Sequence, residues 1–338
     1  MTATVDVSFV IPTHNRVDLL SETILSVLAQ TVQPREIIVV DNGTQNRAAT
    51  AVAPFGDRVR LIKSTPNIKQ TARNTGLEAA TGKWVALLDD DDLLEPNYLE
   101  NMARPIADGR ANIVASDHRK FRGEISEAHT NFENVPNDYW SDVTKPAAGT
   151  NWSFVGKFPL RKLLRRIPAY PSMLIIRREF ALGIGGYDAK MLGIPAEDVE
   201  FLVRALTYGE LALVWAPLVR YRLHPGNETA SQDGQTIGRW RIFEYVRRHH
   251  PDLPTDFIDA LDQDLPIRRA NTYRLAFRLN LIALMAETEP LLRPDDWTLA
   301  MRARRLTATA PFPIFNRVQR LATGARRLFW IVRHRSRT

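Results

Sequence analysis

An α/β fold, a parallel sheet covered by helices and followed by a mainly α-helical C-terminal region, is the class this sequence predicts. Three observations carry that prediction. Strand-like and helix-like segments alternate β-α-β-α-β-α-β from Val7 to Leu88, the order of a parallel sheet with helices on its faces. Trp84-Val85-Ala86-Leu87-Leu88 is apolar throughout, as in a strand buried on both sides. Beyond Pro225 the strand signals stop and helical periodicity takes over.

The elements follow in order. Val7 to Pro12 is β-branched and apolar and reads as the first strand, ended by Pro12. After the polar loop Thr13-His14-Asn15-Arg16, Asp18 is placed to cap a helix from Leu19 to about Gln30, with Leu20, Ile24, Val27 and Leu28 on one face. Arg35 to Asp41 is the second strand, closed by the turn Asp41-Asn42-Gly43. A short helix near Arg47–Ala53, a strand Val59–Ile62 and a helix Thr71–Ala80 lead to the strand at Trp84. Tyr98–Ala107 reads as a helix and Asn112–Asp117 as a fifth strand. Arg119–Pro171 lacks periodicity and reads as an irregular insertion, and segments of that kind are commonly functional. Met173–Ile176 is a short strand, Arg178–Leu182 a helical turn ended by glycines, Ala196–Leu206 a helix and Leu211–Tyr221 a final strand. Helical segments are then expected at Gly238–His249, Asp256–Asp264, Ile267–Ala286, Asp295–Thr307 and Ile314–Val332. The change of texture places a boundary near Gln235, dividing the chain into 1–235 and 236–338.

The chain has no cysteine, which excludes disulfides, thiolate metal sites and cysteine nucleophiles. The N-terminus lacks the basic-then-apolar pattern of a signal peptide, and no apolar run is long enough to span a bilayer. A cytoplasmic protein is expected. Its +7 net charge is unevenly spread: Trp297–Thr338 holds ten arginines and no acidic residue. Such an end suits an anionic surface: the apolar face of Ile314–Val332 either packs on the rest of the helical region or, with its arginines outward, makes peripheral contact with the inner face of a membrane. No nucleic-acid partner is expected.

Chemistry concentrates where the Trp84–Leu88 run ends, at Asp89-Asp90-Asp91-Asp92. Open α/β sheets bind ligands at the carboxyl ends of their strands. Four adjacent carboxylates repel one another, and crowding raises some of their pKa values. A cation would offset that cost, and clustered carboxylate oxygens suit Mg²⁺, Mn²⁺ or Ca²⁺ rather than Zn²⁺.

Five motifs, in order, resemble glycosyltransferase family 2: Val7–Arg16, Val40-Asp41-Asn42-Gly43, Ala72–Leu77, Leu88–Asp92, and Gly185-Gly186-Tyr187-Asp188 through Glu197-Asp198, joined by Tyr221-Arg222-Leu223-His224. The resemblance covers roughly Val7–Ser231 and leaves the C-terminal third outside it. It implies a GT-A domain, the Rossmann-like fold of nucleotide-diphospho-sugar transferases, and sugar transfer with inversion.

The resemblance also implies roles. Pro12, Thr13, Arg16, Asp41, Arg73, Asp89 and Asp90 would bind a nucleoside-diphosphate sugar, with UDP the first guess. Asp41 would hold the base ring N–H. His14 stands where the family more often has tyrosine, which weakens a stacking role there. Asp91 and His224 would hold Mn²⁺ or Mg²⁺, Asp198 would be the catalytic base and Glu197 would contact the acceptor. The acceptor would be a glycan or lipid-linked glycan in cell-surface polysaccharide synthesis. Tyr139, Trp140 and Trp152 could stack on sugar rings or pack in a core. Two other readings compete: a sugar nucleotidyltransferase, and a polyanion-binding protein with a degenerate transferase domain. The first normally carries a glycine-rich phosphate loop, and Pro12–Arg16 has no glycine.

Overall fold

The computed structural model describes residues 4–44, 47–66, 68–191, 196–224, 232–297 and 302. β1 (Thr4–Thr13), α1 (Val17–Leu28), β2 (Gln33–Asp41), α2 (Arg47–Val52), β3 (Arg60–Lys63), α3 (Lys69–Ala79) and β4 (Trp84–Leu87) alternate as the periodicity predicts. Then come β5 (Leu93–Leu94), α4 (Tyr98–Asp108), β6 (Ile113–Arg122), β7 (Ile125–Ser126), β8 (Trp152–Gly156), α5 (Arg161–Arg165), β9 (Leu174–Arg177), α6 (Arg178–Gly183), α7 (Glu197–Tyr208) and β10 (Leu211–Arg222). The helical region follows with α8 (Gln232–His249), α9 (Thr255–Arg278) and α10 (Ile282–Thr288).

The described strands form one sheet in the order β3-β2-β1-β4-β9-β6-β10-β5, with β7 beside β6 and β8 beside β10. β1, β2, β3 and β4 are parallel. β9 runs against both β4 and β6, and β10 rejoins β6 in parallel. The strands of Val7–Leu88 are thus parallel, as their alternation with helices predicts, while the sheet as a whole is mixed. The chain returns from the long Arg119–Pro171 segment at the carboxyl edge of β4 and must run backwards to fill the gap between β4 and β6. Six strands still point the same way, so β1, β2, β4 and β10 bring their carboxyl ends to one edge.

Apolar burial sets this frame. Val7, Phe9, Val10 and Ile11 of β1 and Trp84–Leu88 are at most 3% exposed. Leu20, Ile24 and Val27 of α1 are fully buried, the stripe its sequence predicts. Gly76 of α3 lies so close to β1 that a Cβ there would sit 2.2 Å from Val10 Cγ1. The helix carrying Arg73 can approach the sheet only because that position has no side chain.

Several expectations need correcting. Arg16, not Asp18, occupies the cap position of α1, and Asp18 falls in the first turn, where its charge still favours the helix N-terminus. The Arg119–Pro171 segment is not wholly irregular: β6 extends into it, and β7, β8 and α5 are ordered within it. α9 passes through Pro266 without ending there, and the chain leaves it at Asn280, whose φ of 59° is the left-handed conformation asparagine tolerates. The chain forms compact units Met1–Leu261 and Asp262–Thr338, which is not a correction of the boundary expected near Gln235 from the change of texture. The expected helix Ile314–Val332, most of Asp295–Thr307 and nearly all of the arginine-rich end lie outside the described residues. Among the described residues no helix is long and apolar enough to cross a membrane.

Candidate active site

Thr13 closes β1 and donates its hydroxyl to Asp90 Oδ2 at 2.6 Å. Arg16, at the start of α1, donates Nη1 to Asp91 Oδ2 at 2.7 Å and reaches Asp90 Oδ1 at 3.3 Å. His224, just past β10, brings Nε2 to the same Asp91 Oδ2 at 2.9 Å. Asp41 ends β2; Oδ1 accepts the Gly43 amide at 2.8 Å, and Oδ2 lies 3.1 Å from Lys63 Nζ. Pro12 pairs in register with Val40, beside Asp41. His14 is exposed, with Nδ1 donating to the Asn42 carbonyl at 3.1 Å.

The four consecutive carboxylates are sorted by their surroundings. Asp89 is half-buried; burial pushes its carboxyl up, but the Arg73 guanidinium, donating Nη2 at 2.8 Å, pulls it below its ordinary value. Asp90 is turned inward, and burial lifts it to about 6 despite the Thr13 hydroxyl and the Arg16 charge. Asp92 is buried among like charges, and desolvation together with Asp91 and Asp89 raises it well above the carboxylate range. It accepts the Ser172 hydroxyl at 2.6 Å and the Arg222 amide at 2.9 Å. Asp92 thus ties β4, β10 and the entry to β9 together. Asp89, Asp90 and Asp91 are the members paired with cationic groups or histidine at the edge, Asp90 the least closely.

A second acidic pair arrives on α7. Arg73 spans the two groups: Nη2 bonds Asp89, while Nη1 bonds Glu197 Oε1 at 2.6 Å. Its guanidinium is 5% exposed and lies 5.1 Å from the centroid of the Tyr187 ring. Asp198 is half-buried at the N-terminus of α7, accepting its neighbour Val199's amide at 2.9 Å. Burial lifts its carboxyl to about 7, the Glu197 charge adds to that, and Arg73 opposes it. Ala196, just before, has a φ of 73°, a conformation non-glycine residues rarely adopt, and such strain often marks functional turns.

The motif around Gly185-Gly186 explains how α7 is held. Asn74 donates Nδ2 to the Tyr187 carbonyl at 2.8 Å and accepts the Tyr187 amide at 2.7 Å. A Cβ at Gly186 would lie 2.5 Å from Asn74 Oδ1, and Gly186 has a φ of 61°. The Arg73-Asn74 pair on α3 and the Gly-Gly-Tyr segment are therefore complementary halves of one joint. Tyr187 stacks on Phe201 of α7 with 4.3 Å between centroids, and Asp188 accepts the Tyr245 hydroxyl from α8 at 2.6 Å.

The structure brings Thr13, Arg16, Asp89, Asp90, Asp91 and His224 into one bonded group, with Arg73 linking Glu197 to it; Asp198 adjoins and Asp41 ends the strand next to β1. It adds Ser172, Lys63, Asn74 and Arg222. Arg222 stood inside a quoted motif, and its Nε donates to the Asp91 carbonyl at 2.8 Å. Ser172 carried no local signal, since its partner lies 80 positions away. Tyr139 and Trp140 belong to a core: the Tyr139 hydroxyl donates to the Arg166 carbonyl at 2.9 Å, and Trp140 Nε1 to the Phe132 carbonyl at 2.9 Å. Trp152 is half-buried on β8.

The donor set bears on a metal. Among the described residues no three His, Asp or Glu side chains converge as a ready-made cage. Asp91 and His224 do converge, a hard oxygen beside an imidazole nitrogen. Two such ligands suit Mn²⁺ or Mg²⁺, ions that complete their shells with phosphate oxygens and water.

A mixed sheet with its acids at the carboxyl edge, helices on its faces and a helical region after it defines a nucleotide-sugar transferase fold of the GT-A kind. Comparison with known proteins agrees. The profile of "Glycosyl transferase family 2" matches residues 8–178, half of the chain, and the chain belongs to that family of transferase enzymes. It is 36% identical over 126 residues to the succinoglycan biosynthesis protein ExoO of Rhizobium meliloti (strain 1021), a match covering 35% of this chain and 36% of that relative. The chain thus spans little more than a third of ExoO's length. S. aureus TarS in complex with UDP-GlcNAc superposes with a TM-score of 0.60 at 15% identity, over 88% of this chain and 83% of that one. The Pyrobaculum calidifontis mannosyltransferase PcManGT, in complex with GDP-Man and Mn²⁺, superposes at 0.53 and 16% identity, over 94% and 86%.

Glu197→Gln removes the charge that raises Asp198, so the Asp198 carboxyl should titrate lower by about one pH unit. Carbon-13 NMR of the aspartate carboxyls checks this; an unmoved Asp198 titration would contradict the coupling.

Proposed function

We propose that the chain moves a sugar from a nucleoside-diphosphate donor, a UDP-sugar first among them, to a hydroxyl of a glycan or lipid-linked glycan, with inversion at the anomeric carbon. The observation that carries this reading is Asp198: half-buried, beside Glu197 and Arg73, with its carboxyl raised to about 7. A base titrating near neutrality is matched to drawing a proton from a hydroxyl. Inversion needs a single base on the face opposite the leaving group. Asp198 takes that part, and Glu197, fixed by Arg73, frames the acceptor side.

The donor side rests on the strand ends. Asp41 and Thr13, with Pro12 of β1 beside Val40 of β2, would frame base and ribose. Asp89 and Asp90 would keep Arg73 and Arg16 in place, and these two guanidinium groups supply fixed positive charge for a diphosphate. Asp91 and His224 would hold Mn²⁺ or Mg²⁺. A divalent ion there would supply Lewis-acid neutralisation of the departing diphosphate. The complexes of TarS with UDP-GlcNAc and of PcManGT with GDP-Man and Mn²⁺ support a nucleotide-sugar donor and a metal. The description of ExoO supports a place in polysaccharide synthesis.

Asp198→Asn should lower kcat by about 10²–10⁴-fold while donor binding persists. In the unsubstituted protein kcat/KM should rise with pH and level off above about 7, because only the ionised carboxyl accepts a proton. Initial rates of nucleoside-diphosphate release over pH 5–9 check both, where the pH range is about that spanning the raised carboxyl. A variant of undiminished rate would remove Asp198 from the mechanism. Peripheral contact with an anionic membrane through the ten arginines of Trp297–Thr338 belongs to the same proposal. It predicts salt-sensitive co-sedimentation with anionic liposomes, and equal pelleting of a chain truncated at Pro311 would exclude it.

A further inference from the structure

Among the described residues, Arg166 is a cation without a counter-charge. It follows α5, is half-buried, and its Nε is enclosed without a hydrogen-bond partner. Among the described residues no carboxylate lies within ion-pair distance of it. Neutral groups hold it in place instead. Its Nη2 donates to Asn131 Oδ1 at 2.6 Å, and buried Asn131 is itself anchored by donating Nδ2 to the Pro168 carbonyl at 2.7 Å. The Tyr139 hydroxyl fixes the Arg166 carbonyl. A partly desolvated guanidinium kept in one position and left uncompensated is costly unless an anion visits it.

Its surroundings say which anion. Asn131, which holds Arg166, donates its amide to the His118 carbonyl at 2.9 Å. Tyr170 and Tyr221 lie two and one residues before Ser172 and Arg222, both bonded to Asp92. Arg166, Arg239 and Asp198 all act on the Tyr170 hydroxyl. Tyr170 and Tyr221 are both half-buried, with ring centroids 6.1 Å apart. Both rest against His118, at 5.9 Å and 5.5 Å. His118 is 1% exposed, and neither ring nitrogen has a hydrogen-bond partner. Burial, with Lys120 and Arg166 beside it, holds the imidazole down to about 3, so this floor is neutral. Two tyrosine rings packed on a neutral imidazole thus stand beside the groups that hold Asp92, with guanidinium groups and the Asp198 carboxylate acting on Tyr170.

We propose that Tyr170, Tyr221, Arg166 and Arg239 form an acceptor subsite, and that the acceptor carries an oxyanion, a phosphate or a carboxylate, close to the hydroxyl that receives the sugar. The tyrosine faces would take the acceptor ring and Arg166 its charged group, as planar guanidinium groups do. This rests on Asp198 being the base, and the experiment separates the two. p-Nitrophenyl hexosides, their 6-phosphates and the matching hexuronides are titrated into the full chain by NMR, then assayed for nucleoside-diphosphate release. Donor hydrolysis without acceptor, measured in parallel, reads the catalytic edge alone. Charged acceptors should bind at least about tenfold more tightly than neutral parents, in keeping with a charge-assisted hydrogen bond. Arg166→Gln should erase that preference, and Arg166→Lys should restore part of it. The phosphate and uronide arms show which oxyanion is selected. Equal binding of charged and neutral acceptors, or an Arg166→Gln loss that falls equally on both, would overturn the subsite even if donor hydrolysis proceeds. Absence of donor hydrolysis alongside selective binding would instead overturn the catalytic reading and leave the subsite standing.

Discussion

The site depends on one buried guanidinium. Arg73 binds Asp89 at the end of β4 with one nitrogen and Glu197 at the start of α7 with another. Without it two acids would face each other in a poorly solvated edge, a repulsion no packing would tolerate. With it, Asp89 and Glu197 are fixed relative to one another, although Glu197 lies 124 positions from Arg73. The same charge tunes Asp198: burial and Glu197 raise that carboxyl, and Arg73 keeps it from rising beyond neutrality. An ion pair of this kind contributes little net stability once desolvation is counted, but removing one partner is expensive. Its value here lies in placement.

The elements around Arg73 serve the same end. Gly76 lets α3 lie on β1, which brings Arg73 to the strand ends. Asn74 next to it grips the Tyr187 backbone, and that grip sets where α7 begins. On the far side Asp92 gathers Ser172 and the Arg222 amide, so the strand carrying His224 is tied to the strand carrying Asp91. The edge is thus braced by hydrogen bonds among its own residues, the kind of preorganisation electrostatic catalysis uses. A cation visiting Asp91 and His224 would meet a geometry already formed.

Much of this was legible in the sequence because it is local. Alternating periodicity marks the strands and helices from Val7 to Leu88, and an apolar run ending in four aspartates marks the strand end. The rest depends on pairings no local pattern records. The antiparallel course of β9 follows from where the preceding segment returns, and a four-residue apolar strand reads alike in either direction. Nothing about Ser172, Lys63 or Arg166 in the chain reveals a buried aspartate, a strand-end carboxylate or an uncompensated charge; each is defined by neighbours far off in sequence. Pro266 misleads for the opposite reason. A strong local breaker was overridden by the helix around it, and the chain turned instead at Asn280.

On the proposed function, the carboxyl edge of the sheet would be a joint site for a diphosphate and a divalent ion. Calorimetric titration of Mn²⁺ into the protein, with and without UDP, tests it most directly. Weak binding of the ion alone is expected, at least about tenfold tighter binding when the nucleotide is present, and loss of that gain in both Asp91→Asn and His224→Ala. Mn²⁺ binding that is indifferent to UDP, or that survives both substitutions, would contradict it.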